Sequence, residues 1–389
     1  MVVAMEMQSV AVGWQVYEIT KRPLDLGLVG LVQFLPGILL FLVSGHVADR
    51  YDRQKLVILC YIGYGLSFGL LLWTAMRATG SVSFIFVVLA ILGVLRVFNA
   101  PVSRAFLPQL VPDEDLPNAI AWASTFFQGA SILGPAAGGV IYAAFRGPGA
   151  VYIVAMMLTV VALACTLKIT SPAKPRPREP FNSKTVLAGL HYIWREKVVL
   201  GSISLDLFAV FLGGAVALLP VYAREILHTG PWGLGLLRAA PGMGAAVMAI
   251  FLAYRPLRRR AGLIMLWCVA GFGVFTILFG ISRSLVLSMI ALFFVGATDM
   301  VSVVVRAILI QVATPDEMRG RVNAVDMVFI GASNEFGEFE SGLTAQWLGT
   351  VPAVVLGGIG TIVVTAIWAW RFPELRKVEQ IHTLPTRAA

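Results

Sequence analysis

Twelve mostly apolar runs recur along this chain, each close to the length of about 20 residues that a helix needs to cross about 30 Å of hydrocarbon. They fall near 1–19, 24–48, 56–76, 82–106, 118–143 and 149–168, then near 198–222, 232–254, 262–282, 285–311, 322–347 and 351–371. Composition agrees with a lipid solvent. Hydrophobic residues make up 58% of 389 positions and charged residues 13%, where a soluble domain carries about 25% charged. Mean hydropathy is +0.83. The expected fold is an all-α membrane protein of twelve spans.

Net charge is +9, and its placement says more than its size. Loops after even-numbered spans, with the tail, hold 21 of the 30 Lys and Arg; loops after odd-numbered spans hold 6. By the positive-inside rule both termini and the long central linker are expected in the cytoplasm. No basic soluble domain exists to bind nucleic acid. The expected organisation is an N-terminal six-helix bundle over 1–168, a cytoplasmic linker over 169–197, a C-terminal bundle over 198–371 and a cytoplasmic tail over 372–389. Ser171–Pro180 is rich in proline and charge and should be extended. Val186, Leu187, Leu190, Ile193 and Trp194 recur at helical spacing; they predict either a helix along the membrane surface or an extension of span seven.

An internal repeat supports two halves of six. Ser103-Arg-Ala-Phe-Leu-Pro-Gln-Leu-Val-Pro-Asp-Glu114 reads like Val305-Arg-Ala-Ile-Leu-Ile-Gln-Val-Ala-Thr-Pro-Asp-Glu317. Asn118-Ala119 matches Asn323-Ala324, and Gly129-Ala-Ser131 matches Gly331-Ala-Ser333. Parallel halves of this kind build transporters whose site lies near mid-membrane.

Between spans two and three stands Gly45-His-Val-Ala-Asp-Arg-Tyr-Asp-Arg-Gln-Lys55. Gly45 permits close helix approach, while Asp49, Arg50 and Arg53 can cluster at the cytoplasmic face. The segment resembles the signature loop of the major facilitator superfamily. That resemblance implies a gating role, with Asp49 and Arg53 holding the outward-open state. Asp52 replaces the second glycine of the family loop, a departure similar to the branch that holds the enterobactin exporter and related drug:proton antiporters. Span five carries Gly134-Pro135-Ala-Ala-Gly138-Gly139, where proline bends the helix and glycines admit another backbone. It resembles the antiporter motif of the superfamily's fifth helix, with Ala130 in place of the usual upstream glycine. Family members usually carry more residues before Met7-Gln-Ser-Val10, so the first helix is expected to be truncated and Met1 need not be the natural start.

A charge at mid-bilayer costs roughly 2.5–3.5 kcal/mol on insertion scales, so each needs a reason. Span eleven holds Asp326 and then Asn334-Glu335-Phe-Gly-Glu338-Phe-Glu340. Glu335 and Glu338, three apart, share a helix face, while Glu340 points about 140° from Glu335 at 100° per residue. Two close carboxylates in low dielectric cannot both stay ionised cheaply, so Glu335 and Glu338 are the leading candidates for proton coupling or cation binding; an interhelical ion pair is the alternative. Glu340, Asp206 and Glu6 are further coupling candidates. Arg96, Asp299 and Arg306 are intramembrane charge partners: Asp299 and Arg306 should each pair with another helix, and Arg96 could neutralise Glu6 or Asp206. Gln8, Trp14, Gln15 and Phe208 would suit an aromatic, amphipathic substrate, although aromatic residues in such helices more often serve packing.

Several chemistries are excluded. Gly65-Leu-Ser-Phe-Gly69 matches a nucleophile-elbow pattern, but that chemistry needs a strand–turn–helix and this stretch lies mid-span. The chain has no phosphate-binding G-x-x-x-x-G-K-[ST] loop, so direct ATP coupling is not expected. Cys60, Cys165 and Cys268 lie far apart with no metal-ligand spacing. No metal, cofactor or enzymatic role is expected. Resemblance implies proton-driven export of a small organic molecule, siderophore-like or drug-like, by a monomer in a bacterial inner membrane. Uptake or facilitated diffusion and lysophospholipid flipping are the alternatives within transport, and a membrane sensor or enzyme lies outside it.

Overall fold

The computed structural model describes residues 1–77, 81–112, 114–169, 183–255, 257 and 260–377, with side chains for all of these except 41, 42, 45, 46, 48, 49, 183–187, 316 and 317. Helices stand at all twelve expected spans: α1 (Val2–Thr20), α2 (Pro23–Arg50), α3 (Arg53–Met76), α4 (Val82–Leu110), α5 (Leu116–Ala144) and α6 (Gly149–Leu167), then α8 (Lys197–Leu212) with the single turn α9 (Leu219–Val221), α10 (Gly230–Tyr254), α11 (Ala261–Ile281), α12 (Leu285–Ala313), α13 (Asp316–Leu348) and α14 (Thr350–Arg371). Two further helices, α7 (Ser183–Arg195) and α15 (Pro373–Arg376), lie outside the spans. Among the described residues nine helices are long and apolar enough to cross a membrane. Contacts divide the chain into two compact units, Met1–Phe181 with His228–Ala239, and Asn182–Leu227 with Ala240–Ala389.

Local chemistry sets the helix ends. α1 stops at Lys21 in the left-handed conformation, whose N–H bonds Tyr17 O, and Pro23 opens α2 two residues later. Asp52 caps α3, accepting from the Lys55 N–H at 3.2 Å, which accounts for a carboxylate where the resembled loop has glycine. Gly349 alone joins α13 to α14 at φ +92°, a backbone that L side chains rarely adopt.

In the first unit α1 is the core helix, touched by α2, α4, α5 and α6. Its run Val10–Tyr17 is buried throughout, so its glutamines never meet lipid. The contact with α5 is made by small residues. A Cβ on Gly134 would lie 2.5 Å from Glu6 Cβ, and one on Gly138 would lie 2.9 Å from Met7 Cα. Ala130 extends that stripe and is buried. Gly139 turns to α10 instead, where a Cβ would lie 2.5 Å from Pro231 O.

The second unit is built around α8, which touches α7, α12, α13, α14 and α15. α7 is a helix of its own rather than an extension of span seven, because Glu196 is extended and breaks the chain. It sits on α13 and α8, with Ile193 fully buried and Tyr192 O–H donating to Ala313 O at 2.5 Å. The expected linker Ser171–Pro180 and the tail beyond 377 lie outside the described residues. Span seven is not continuous. After α8 come Gly213 and Gly214, then a 3-10 turn over Ala215–Leu218, α9, and a π turn over Tyr222–Ile226.

Backbone-to-backbone glycine contacts hold this unit tightly. A Cβ on Gly296 would overlap the Pro241 carbonyl, whereas one on Gly69, in the first unit, meets nothing within 4 Å. Gly296→Val should therefore destabilise the protein by about 1–3 kcal/mol or more, and Gly69→Ala by no more than about 0.5 kcal/mol in either direction. Thermal unfolding in detergent micelles checks both; equal melting curves for the two variants would refute the packing argument.

Candidate functional site

Four charged side chains meet in the second unit, drawn from three helices. Arg306 of α12 donates through Nη1 to Asp206 Oδ2 of α8, with side-chain exposures of only 4% and 7%. Its Nε lies 3.7 Å from Asp326 Oδ1 of α13, an oxygen with no hydrogen-bond partner. Asp299 stands seven residues before Arg306, two turns away on the same face, and its charge acts on both Arg306 and Asp206. Arg306, expected to pair with another helix, lies beside acids of α8 and α13; Asp299, expected to do the same, has no such ion pair among the described residues.

This charged end opens on a cavity of about 190 Å³. Asp206, Asp299, Arg306, Asn334 and Glu338 supply its polar lining, and Val210, Phe272, Phe279, Leu292, Val295 and Ile330 much of its apolar wall. The break in span seven forms part of the wall through Gly213, Gly214, Ala215 and Val216. Gly214 can stand there because its neighbour across the gap is also glycine: a Cβ on it would lie 2.7 Å from Gly337 O. The broken helix was not read from the sequence, though the Gly213-Gly214 pair inside an apolar run was the available signal.

Of the acids singled out on α13, Glu338 lines the cavity and Glu335 is not among its lining residues. Glu340 accepts from Thr344 Oγ1 at 2.6 Å within its own helix. Phe208 packs at a tilt against Trp368, ring centres 5.3 Å apart, and is 42% exposed; it is not among the cavity's lining residues.

The remaining candidates lie in the first unit. Glu6 feels the charges of Arg238 and Arg96, and Arg238 donates to Ser9 Oγ. Gln15 accepts from Tyr152 O–H at 2.6 Å. Gln8 is 2% exposed with its Nε2 unpartnered. Trp14 packs edge-on to Tyr142. In the loop after α2, Arg50 is exposed and Arg53 donates to Ala105 O at 3.0 Å; Gly45 and Asp49 lie outside the described side chains. Ser67, in the elbow-like pattern, is buried mid-helix and donates to Gly63 O at 2.8 Å. Among the described residues no group of three or more His, Cys, Asp or Glu could hold a metal ion.

Comparison with known proteins places this architecture. The profile of the family described as transmembrane secretion effectors matches residues 3–388. The enterobactin exporter EntS of Citrobacter koseri is 27% identical over 391 residues, covering 100% of this chain and 92% of its own. EntS of Shigella boydii serotype 4 is 27% identical over 383 residues, covering 97% and 91%. Among solved structures, a bacterial homolog of the human lysosomal transporter Spinster, inward-facing and unoccupied, matches with TM-score 0.72 at 12% identity, over 96% of this chain and 97% of that one. A D-xylose-proton symporter matches with TM-score 0.71 at 12% identity, over 95% and 94%. At these identities the structures share the fold alone.

The geometry around Arg306 orders the cost of losing each charge. Arg306→Met strands up to three carboxylates near one another and should cost about 3–5 kcal/mol. Asp206→Asn leaves the guanidinium beside Asp326 and should cost at most about half of that. Unfolding in detergent of both variants, and of Arg306→Met combined with Asp299→Asn, checks the order; the added Asn should recover part of the loss. Equal costs for the two single variants would mean that Asp206 is the only carboxylate that matters to Arg306.

Proposed function

The chain belongs to the transmembrane secretion effector family of major facilitator transporters, and on that premise we propose that it exports small organic molecules by proton antiport. It is a multi-pass membrane transporter, and its relatives named as enterobactin exporters support an amphipathic, siderophore-like or drug-like cargo. The observation that carries the reading is the cavity of about 190 Å³ whose wall is largely apolar and aromatic and which Asp206, Asp299 and Arg306 line together with Glu338. Such a space suits a cargo with an apolar body and a polar edge.

Glu338 is the carboxylate best placed to carry the proton. It reaches the cavity beside Asn334, so it can meet either cargo or water as the cavity opens to one side and then the other. Asp206 is engaged by Arg306 and is the poorer choice. The positive-inside bias puts the termini in the cytoplasm of the inner membrane, so that export drives cargo outward while protons return. On this reading the loop Gly45–Lys55 and the glycines of α5 belong to the conformational change rather than to cargo binding. The protein works as a monomer, with no cofactor and no enzymatic step.

The test is proton flux in proteoliposomes under an imposed pH gradient, with a panel of catecholate siderophores and amphipathic drugs. Wild type should show compound-dependent proton movement. Glu338→Gln should lose at least tenfold, and Glu335→Gln should retain most of the activity. Compound movement without proton flux would leave a facilitator. Equal loss in both variants would return the coupling role to the pair on one face of α13.

A further inference from the structure

Beside the main cavity lies a second, small one of about 10 Å³, lined by Asp206 and Ala209 of α8 and by Thr298, Asp299 and Ser302 of α12 among others. That is the room of a single water molecule, for which about 10–15 Å³ is needed. Its polar lining is all oxygen. Ser302 is 1% exposed and its hydroxyl has no hydrogen-bond partner. A buried hydroxyl left unpartnered is costly, so it asks for an occupant. The Thr298 hydroxyl spends its hydrogen on the carbonyls of Phe294 and Val295 at 2.7 and 3.0 Å, leaving its lone pairs for another donor or a cation. Asp299 and Ser302 stand three apart and Thr298 and Ser302 four apart, spacings that put each pair on one face of the helix.

Charge points the same way. Asp206, Asp299 and Asp326 are three carboxylates around the single guanidinium of Arg306. Asp206 is satisfied by that guanidinium, and Asp326 shares it while keeping 14% of its side chain exposed. Among the described residues Asp299 has neither an ion pair nor a hydrogen bond of its own. A carboxylate inside the bilayer that only shares the charge of an already paired Arg306 is expensive, and a neutral water would leave it so.

We propose that this pocket is a binding site for one sodium ion, held by Asp299, Asp206, Thr298 and Ser302. A hard cation takes oxygen ligands, and sodium without its water is no larger than the water the pocket admits. A divalent ion would need a third acid, which the pocket does not offer. Potassium, about as large as a water molecule, takes more oxygen contacts than these four side chains give. Occupancy ties α8 to α12 through the turn of α12 that precedes Arg306, and so stiffens the wall against which cargo would rest. The site is separate from the proton step at Glu338, and either can fail alone.

The experiment reads binding rather than transport. The purified full chain in detergent is titrated with NaCl at pH 8, with choline chloride holding ionic strength constant. Thermal unfolding and equilibrium uptake of radioactive sodium are both recorded. One saturable site per chain and a rise in melting temperature of a few degrees are expected, with lithium partly effective and potassium without effect. Ser302→Ala, which removes one ligand and little volume, should melt as wild type in choline and bind sodium at least fivefold more weakly; Asp299→Asn should abolish binding. Identical curves in sodium, potassium and choline would overturn the site and leave a bound water or a protonated Asp299. Sodium binding unaltered in Ser302→Ala would overturn its location. Neither result touches the proton-flux assay of Glu338.

Discussion

In hydrocarbon no water completes a broken backbone hydrogen bond, and the architecture follows from that constraint. The chain answers it with helices at every apolar run and lets α5 meet α1, and α10 meet α12, through glycines that bring backbone against backbone. A helix can open only where protein or a cavity covers the opening. Span seven does so at Gly213 and Gly214, against Gly337 of α13, and the residues that follow form part of the cavity wall. The opening of the backbone and the candidate site are the same place for one reason: both need a surface that lipid does not reach.

The same logic orders the charges. The repeat places Arg104 and Arg306 at matching positions near the ends of α4 and α12, yet their surroundings differ. Arg104 is exposed, while Arg306 is buried among carboxylates contributed by α8, α12 and α13. A buried guanidinium has to be paired, and the pairing fixes where those helices lie along one another. What was inherited as a sequence landmark at the membrane edge serves in the second unit as the centre of an ion network.

The helices were legible because span length is imposed by the bilayer and needs no partner to be recognised. The identities of the intramembrane charges were legible for the same reason, since Asp206, Asp299, Arg306 and Glu338 each interrupt an apolar run. Their pairing was not. Asp206 and Arg306 are a hundred positions apart in the chain, and nothing local to either shows that α8 and α12 bring them together. Glu335 and Glu338 shared a face by spacing, but three residues of helix still turn a side chain by about 60° from its neighbour, enough for one to line the cavity without the other. Asp52 was legible as a departure from a glycine and illegible as a cap, because its role rests on the Lys55 N–H that the first turn of α3 aims at it.

Three of the twelve spans, α1, α5 and α13, fall outside the nine that pass as apolar enough to cross a membrane, and the case of α1 shows what such polarity requires. α1 carries Glu6, Gln8 and Gln15, and it is the helix that its own unit encloses, with α2, α4, α5 and α6 all in contact. Two of these polar groups are answered inside that packing, Glu6 by the charges of Arg238 and Arg96 and Gln15 by Tyr152. α13 offers a different answer, in which Asp326 leans on Arg306 and Glu338 faces a cavity. Polar residues on a spanning helix thus mark either a shielded core helix or a cavity wall, and only the second leaves room for a cargo. By that criterion Gln15, bonded to Tyr152, is held in the packing of α1, Gln8 is buried there with an unpartnered Nε2, and Glu338 lines the candidate site.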